Sequence, residues 1–326
     1  MTEQIPYLSR REVERLLTLD LAADSQRAAF EALGRGTAEQ PFKLMHSSRF
    51  DDSTVFCTVA RLSAGTGAIA KFGSVNPGNP AAGLPSVSAL VTALDAGTGR
   101  PVAVLDGIAI TTLRTAAASA VAVDALAAAD AADLGVIGSG TQARAHVRAL
   151  ARVRPLTEVR LWSPTPANRE RAARELADEL GIGVRAVGDA EEAVTGMAIV
   201  AACSLSREPV VRGRWLKPGT TVVSVGSFEP DRAEVDAEVL RRAAAVVVDD
   251  PDTAAAHAGP VMRALRDGDL RRPDLIALGA VLTGRRAART GPEDIVFYNS
   301  VGLGVQDAAA TWALLDASAR AEGAGR

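Results

Sequence analysis

The stretch LGVIGSGTQARAH, Leu134 to His146, reads as a short apolar strand, a glycine-rich turn and the start of a helix. Gly138 permits the tight turn and Gly140 lets the backbone approach a pyrophosphate. The helix N-terminus beyond offers free N–H groups and a positive dipole end. Ala143 stands where the dinucleotide fingerprint takes a small residue for close helix packing. Gly138, Ser139, Gly140, Thr141 and Gln142 are therefore candidate cofactor ligands. The motif begins more than a third of the way along a chain of 326 residues, so a long segment before it needs its own explanation.

Downstream, EVRLWS, ANRERAARELADEL, GVRAVG, DAEEAV, MAIVAAC, TTVVSVG and AAVVVDD alternate apolar strands with helices. That alternation predicts an α/β fold with a Rossmann-type doubly wound parallel sheet, covered by helices on both faces. NAD sites usually place an acid about 20 residues beyond the glycine loop, at the end of the second strand. Here LWSPTPANR puts Ser163 in that place, with Thr165 and Arg169 nearby and no carboxylate. An acid repels a 2′-phosphate and an arginine attracts one, so the sequence favours NADP(H) over NAD(H).

Upstream, SRREVERLLTLDLAADSQRAAFEALGRG has apolar residues at helical spacing and predicts two helices. STVFCTVARL, GAIAKFGSV and SVSALVTALDAGTGRPVAVLDG predict strands, with DAGTGR a hairpin connection. TTLRTAAASAVAVDALAAADA predicts a long helix, capped by Thr111 or Thr112, with Arg114 at its opening. The final DIVFYNSVGLGVQDAAATWALLDASARA gives a strand, a turn and a helix with Val305, Ala309, Trp312 and Leu315 along one side. This is more helix than the sheet needs, so the chain is expected to return to its first part. Residues 1–118 with 300–326 then form a discontinuous α+β substrate-binding and dimerisation domain, and 119–299 the nucleotide-binding domain.

A chain 48% hydrophobic and 23% charged suits a soluble globular protein of about two domains. The net charge of −3, with arginines scattered among acids, gives no footprint for nucleic acid. MTEQIPYLSRREVERLL has no apolar core of signal-peptide length and no apolar run reaches membrane-spanning length, so no membrane partner and a cytoplasmic location are expected. Cys57, Cys203, His46, His146 and His257 are scattered, and neither a disulfide framework nor a metal site is expected.

Two cations in the first part stand in suggestive settings. Lys71 lies in the apolar strand GAIAKFGSV, where a charge is costly unless paired. Arg114, in ITTLRTAA, has the planar fork that grips a carboxylate with two parallel bonds. A structural salt bridge accounts for either residue alone; their co-occurrence points to an anionic substrate.

These residues also carry a resemblance. AKFGSVNPGNPAAGLPSVSALVTALDAGTGRPVAVLDGIAITTLRTAAASA, followed by VIGSGTQARAH, resembles the ornithine cyclodeaminase/mu-crystallin family. PGTTVVSVGSFEPDRAEVD and FYNSVGLGVQDAAA match its later blocks, so the likeness runs from about Pro41 to the C-terminal helix. It implies a homodimer in which the first domain and the last helix form the subunit interface and substrate site. It implies that Lys71 and Arg114 bind the substrate carboxylate, with Lys43 where the family usually has an arginine. A lysine there loses the bidentate fork. It further implies cofactor contacts from Thr115, Cys203, Ser204, Val225 and Ser300.

The family includes ornithine cyclodeaminases, amino-acid dehydrogenases, reductases of cyclic ketimines and mu-crystallin. In the cyclodeaminases one acid recognises the distal amine and a second serves deamination; in an ungapped alignment those places hold Phe56 and Phe228. An apolar wall cannot pair an ammonium. The resemblance therefore implies an NAD(P)H-dependent reductase of an imine acid such as pyrroline-2-carboxylate or piperideine-2-carboxylate. Lys71 and Arg114 clamp the carboxylate, Phe56 and Phe228 face the ring, and Lys71 is the candidate acid. Three alternatives stand beside it: an ornithine cyclodeaminase in which Glu229 replaces the lost acid, an amino-acid dehydrogenase using NAD+, and a protein that only binds NADPH and a small acid.

Overall fold

The protein is described by a computed structural model over residues 4–324. The chain up to Arg114, together with that from Leu303 onward, forms one unit, and Thr115–Gly302 forms the other. The first unit opens with β1 (Tyr7–Leu8), α1 (Arg10–Leu16) and α2 (Leu19–Arg35). Glu12 accepts hydrogen bonds from the Ser9 backbone N–H and hydroxyl, and the Thr18 hydroxyl accepts from the Leu21 N–H, so each helix has a side chain satisfying its start. The helical spacing buries Val13 and Leu16 on α1, then Ala29 and Phe30 on α2.

β2 (Leu44–Ser47), β3 (Thr54–Ala60), β4 (Ile69–Val75), β5 (Val87–Leu94) and β6 (Pro101–Asp106) join β1 in a six-stranded sheet of order β1-β6-β5-β4-β3-β2. β2 to β6 pair antiparallel with their sequence neighbours, while β1 lies parallel to β6. The expected hairpin between β5 and β6 is closed by the Asp95 carboxylate, which accepts from the Gly97 and Thr98 N–H groups. Strand periodicity separates two faces. Thr58, Lys71 and Val91 are buried on one, whereas Leu44, Phe72 and Leu90 on the other are 64%, 62% and 48% exposed.

α3 (Gly107–Leu126) starts earlier than the sequence pattern suggested. The Asp106 carboxylate accepts from the Ala109 N–H, a stronger start signal than a threonine inside the run. Thr111 and Thr112 are interior residues whose hydroxyls donate to the carbonyls of Gly107 and Ile108. Neither caps the helix, and Arg114 lies about two turns in. By length and hydropathy α3 resembles a membrane span, but most of it is buried within the protein, as in a soluble core helix.

The second unit follows the alternation read from the sequence: β7 (Asp133–Ile137), α4 (Thr141–Val153), β8 (Glu158–Trp162), α5 (Pro166–Leu180), β9 (Gly183–Ala186), α6 (Ala190–Val194), β10 (Ile199–Ala202) and β11 (Thr221–Ser224). Next come α7 (Ala237–Arg242), β12 (Ala243–Val248), α8 (Pro251–His257), α9 (Gly259–Asp267), β13 (Leu275–Ala277), α10 (Leu278–Leu282) and β14 (Ile295–Asn299). Eight strands form one sheet of order β13-β12-β14-β11-β10-β7-β8-β9. Every pairing is parallel, and β10, β11 and β14 are buried along their whole length. The strand order reverses between β7 and β10. The glycine loop after β7 therefore sits at the switch point, where open α/β sheets bind ligands. α11 (Gly304–Ala324) closes the chain in the first unit, packed on α2, β3 and β4. Its Trp312 indole N–H donates to the Gly67 carbonyl.

Candidate active site

In the first unit, β3, β4, α3 and α11 bring a charged cluster together. Lys71 on β4 is 3% exposed. Its Nζ donates to the Thr111 hydroxyl at 2.7 Å and to Asp307 Oδ1 at 3.1 Å. Arg114 donates from Nε to the same Oδ1 at 3.0 Å and from Nη1 to Gln306 Oε1 at 3.4 Å. Among the described residues nothing further accepts from Lys71 Nζ or from Arg114 Nη2, and nothing donates to Asp307 Oδ2. The cluster thus leaves donors and one acceptor oxygen open to a ligand.

The electrostatics follow from burial and from two cations sharing one carboxylate. Burial lowers the Lys71 pKa to about 8, the positive charges of Arg114 and Lys43 push the same way, and Asp307 opposes them. Burial alone would raise the Asp307 carboxyl, but Lys71 and Arg114 hold it below its ordinary value. Lys43, half-buried just before β2, lies close enough to act on Lys71. Phe56 pairs with Gly73 across β3 and β4, and its ring centroid is 5.9 Å from Lys71 Nζ. A Cβ at Gly73 would meet Phe56 Cζ at 2.8 Å and the Ser88 carbonyl at 2.4 Å, so the glycine makes room for the ring. Lys43, Phe56, Lys71 and Arg114 thus gather in one unit.

Phe228 lies in the second unit, half-buried, with the Arg232 guanidinium 5.1 Å from its ring centroid. Glu229, the substitute acid of the cyclodeaminase alternative, accepts from Arg232 Nε at 2.7 Å and is thereby committed to an ion pair.

The glycine loop shows what each glycine is for. Gly138 has φ +126°, and a Cβ there would meet the Cys203 carbonyl oxygen at 2.7 Å, so the fold itself requires it. Gly140 caps α4 with φ −78°, and a Cβ there would meet no protein atom within 4 Å. Protein packing does not explain Gly140, and the open space beside its backbone would admit a pyrophosphate. Thr141 opens α4, and the Oε1 of Gln142 is buried without a partner, as for a group that awaits a ligand. These residues fit a dinucleotide.

At the end of β8, the hydroxyls of Ser139 and Ser163 hydrogen-bond at 2.8 Å, and Arg169 donates to the Ser163 carbonyl at 2.8 Å. Arg169 has no ion pair among the described residues, while Thr165 is the N-cap of α5 and makes no side-chain cap bond. The ends of β10, β11 and β14 are braced by two buried acids that the sequence reading passed over. Glu234 accepts from the Ser204 hydroxyl and N–H, the Ser224 hydroxyl and the Gly226 N–H. Burial nonetheless raises its pKa and, with Glu234 close by, that of Cys203. Asp249 accepts from the Ser300 hydroxyl, the N–H groups of Val301 and Gly302, and the Tyr298 hydroxyl. Val225 is buried beside Gly226, and Thr115 is buried within α3. Cys203, Ser204, Val225 and Ser300 therefore sit on the strand ends that these two acids hold in place.

Asp307 is the other residue the sequence reading missed. A charged residue before the small-residue run Ala308–Ala310, on a helix otherwise buried there, was the signal available.

A parallel, glycine-looped sheet in one unit and a buried cluster of Lys71, Arg114 and Asp307 in the other define the class: a Rossmann-type dinucleotide fold together with an α+β unit. The profile of the ornithine cyclodeaminase/mu-crystallin family matches residues 5–322, and the chain belongs to that family. Alanine dehydrogenase of Archaeoglobus fulgidus is 34% identical over 306 residues, which is 93% of this chain and 91% of that one. Among solved structures, Δ1-pyrroline-2-carboxylate reductase of Thermococcus litoralis with NADH and L-proline matches at TM-score 0.94 and 30% identity, covering 98% of each chain. An archaeal alanine dehydrogenase dimer with bound NAD matches at TM-score 0.91 and 31% identity, covering 98% of this chain and 97% of that one.

Proposed function

We propose that the protein is an NAD(P)H-dependent reductase of an imine acid, a cyclic ketimine such as pyrroline-2-carboxylate or piperideine-2-carboxylate. The observation that carries this reading is Lys71, a buried amine with two fixed acceptors and a pKa of about 8. A donor of that strength is matched to protonating an imine nitrogen near neutral pH. Arg114 and Lys43 hold the carboxylate, Asp307 keeps Lys71 and Arg114 in register, and Phe56 supplies an apolar wall. When bound, the reduced dinucleotide supplies a hydride for the imine carbon. Gly138 to Gln142 hold its pyrophosphate. Ser163 and the guanidinium of Arg169, which has no ion pair among the described residues, favour a 2′-phosphate, hence NADP(H), although the neighbours described above carry NADH and NAD.

The exposed apolar face formed by Leu44, Phe72 and Leu90 supports a homodimer built on the six-stranded sheet, and one solved relative is a dimer. Phe72→Asp is expected to yield monomers in sedimentation.

The likeness to alanine dehydrogenase favours a second reading, oxidation of a small amino acid with NAD+. The test of both is the rate of NADPH and NADH oxidation with pyrroline-2-carboxylate, piperideine-2-carboxylate and pyruvate plus ammonia, beside ornithine or alanine with NAD+. Fastest turnover on a cyclic imine supports the reductase; fastest turnover on pyruvate plus ammonia supports the dehydrogenase; proline from ornithine refutes both.

A further inference from the structure

Thr111 enters the site above only as an acceptor for Lys71, yet its hydroxyl governs what Lys71 can do. Its own hydrogen is directed to the Gly107 carbonyl at 2.5 Å, one turn back in α3. The oxygen that faces Lys71 Nζ at 2.7 Å therefore acts as an acceptor only. Asp307 Oδ1, at 3.1 Å, is a second acceptor that cannot donate while ionised. A tetrahedral nitrogen with two hydrogens committed in this way has one vertex left. In the ammonium that vertex carries the third hydrogen, and in the neutral amine it carries the lone pair. Giving and taking a proton thus share a single direction, set by Thr111 and Asp307 together.

We propose that Thr111 is a positioning residue that confines proton exchange by Lys71 to this one vertex, so that Lys71 serves the imine nitrogen and the substrate carboxylate falls to Arg114 and Lys43. This rests on the imine-acid reading above. In the step, an Nζ–H bond of Lys71 breaks and the lone pair of the imine nitrogen takes that proton, while the C=N π pair passes to nitrogen as carbon accepts a hydride. The reduced dinucleotide, when bound, would supply the hydride for the new C–H bond, and water returns a proton to Lys71. The charged groups that act on Nζ are Asp307 from α11, Arg114 from α3 and Lys43 from the segment before β2, with the Phe56 ring of β3 alongside.

The test compares Thr111→Val, Thr111→Ala and Thr111→Ser with the parent protein. An acceptor bonded to the ammonium favours the charged form, so its loss lowers the Lys71 midpoint by about one pH unit. NMR titration of the Lys71 side chain, without substrate or cofactor, reads that shift directly. Turnover on the imine acid is expected to fall about tenfold or more in the Val and Ala variants, with KM nearly unchanged and the alkaline limb of kcat moved to lower pH. Serine restores midpoint, limb and rate. An unmoved midpoint in both Val and Ala, or a loss of kcat that is the same at every pH and persists in Ser, overturns the proposal. A parent protein that reduces no imine acid overturns the reading and with it the destination of the proton; the NMR titration still decides by itself whether Thr111 holds the ammonium.

Discussion

Asp307→Asn keeps the shape of a side chain and removes the carboxylate that Lys71 and Arg114 share at 3.1 and 3.0 Å. At those distances each pair attracts by about 5 kcal/mol for an effective dielectric constant of about 20. Much of that attraction offsets the desolvation of the ions, and stranding one side of a buried pair costs about 3–5 kcal/mol. The variant relieves part of the loss by shedding a proton, because the carboxylate was raising the Lys71 pKa, and the midpoint drops below about 8. Destabilisation is therefore largest at acidic pH, where Lys71 stays charged, and smaller on the alkaline side. Reduction needs the Lys71 ammonium, so its rate falls as pH rises through the Lys71 pKa, and in the variant that fall comes at lower pH. Urea unfolding across pH and kcat against pH, for Asp307→Asn, Lys71→Met and the double variant, measure both effects. Lys71→Met in the Asn background removes the stranded cation, so the double variant should exceed the additive expectation in stability by more than about 1 kcal/mol. Additivity within about 0.5 kcal/mol, or an unmoved kcat limb, refutes the shared-carboxylate argument.

Lys71 also makes stability pH-dependent in its own right. Its folded pKa of about 8 lies below the ordinary 10.5, so between those values the unfolded chain binds more protons and stability rises with pH. The gain is about 3 kcal/mol across that window, and Lys71→Met should abolish this increment in unfolding curves. Gly140→Ala should weaken dinucleotide binding in a fluorescence titration and leave the melting temperature unchanged, since its Cβ meets no protein atom; Gly138→Ala, with φ +126° and the Cys203 carbonyl at 2.7 Å, should lower the melting temperature. Arg169→Ala should cost NADPH affinity about tenfold while NADH affinity holds, and equal losses for both cofactors would falsify its assignment to a 2′-phosphate.

How far the sequence could be read depended on the length of each pattern. LGVIGSGTQARAH and the strands beyond it were legible because buried parallel strands are continuous apolar runs and the glycine loop has a fixed grammar. From Pro251 to Leu282 the helices span only five to nine residues, too few turns for a clear periodicity, and they went unassigned. The start of α3 is hard to place from sequence because Asp106 closes the strand pattern SVSALVTALDAGTGRPVAVLDG, while Thr111 and Thr112 offer caps inside the helix. At the site, a lysine in an apolar strand announced that a counter-charge must exist, but Asp307 lies 236 residues away and nothing local joins the two. Glu234 and Asp249 escaped for the same reason, as their partners are strand ends that meet only in the folded sheet.

If hydride and proton are added to the two ends of a C=N bond, isotope transfer follows the hydride to its carbon. Pyrroline-2-carboxylate is incubated with NADPH deuterated at the transferable position, and the proline formed is analysed by mass spectrometry. One deuterium is expected at the α-carbon for each dinucleotide oxidised. Proline formed from ornithine with no net change in the dinucleotide, and no labelled product from the imine, would contradict it.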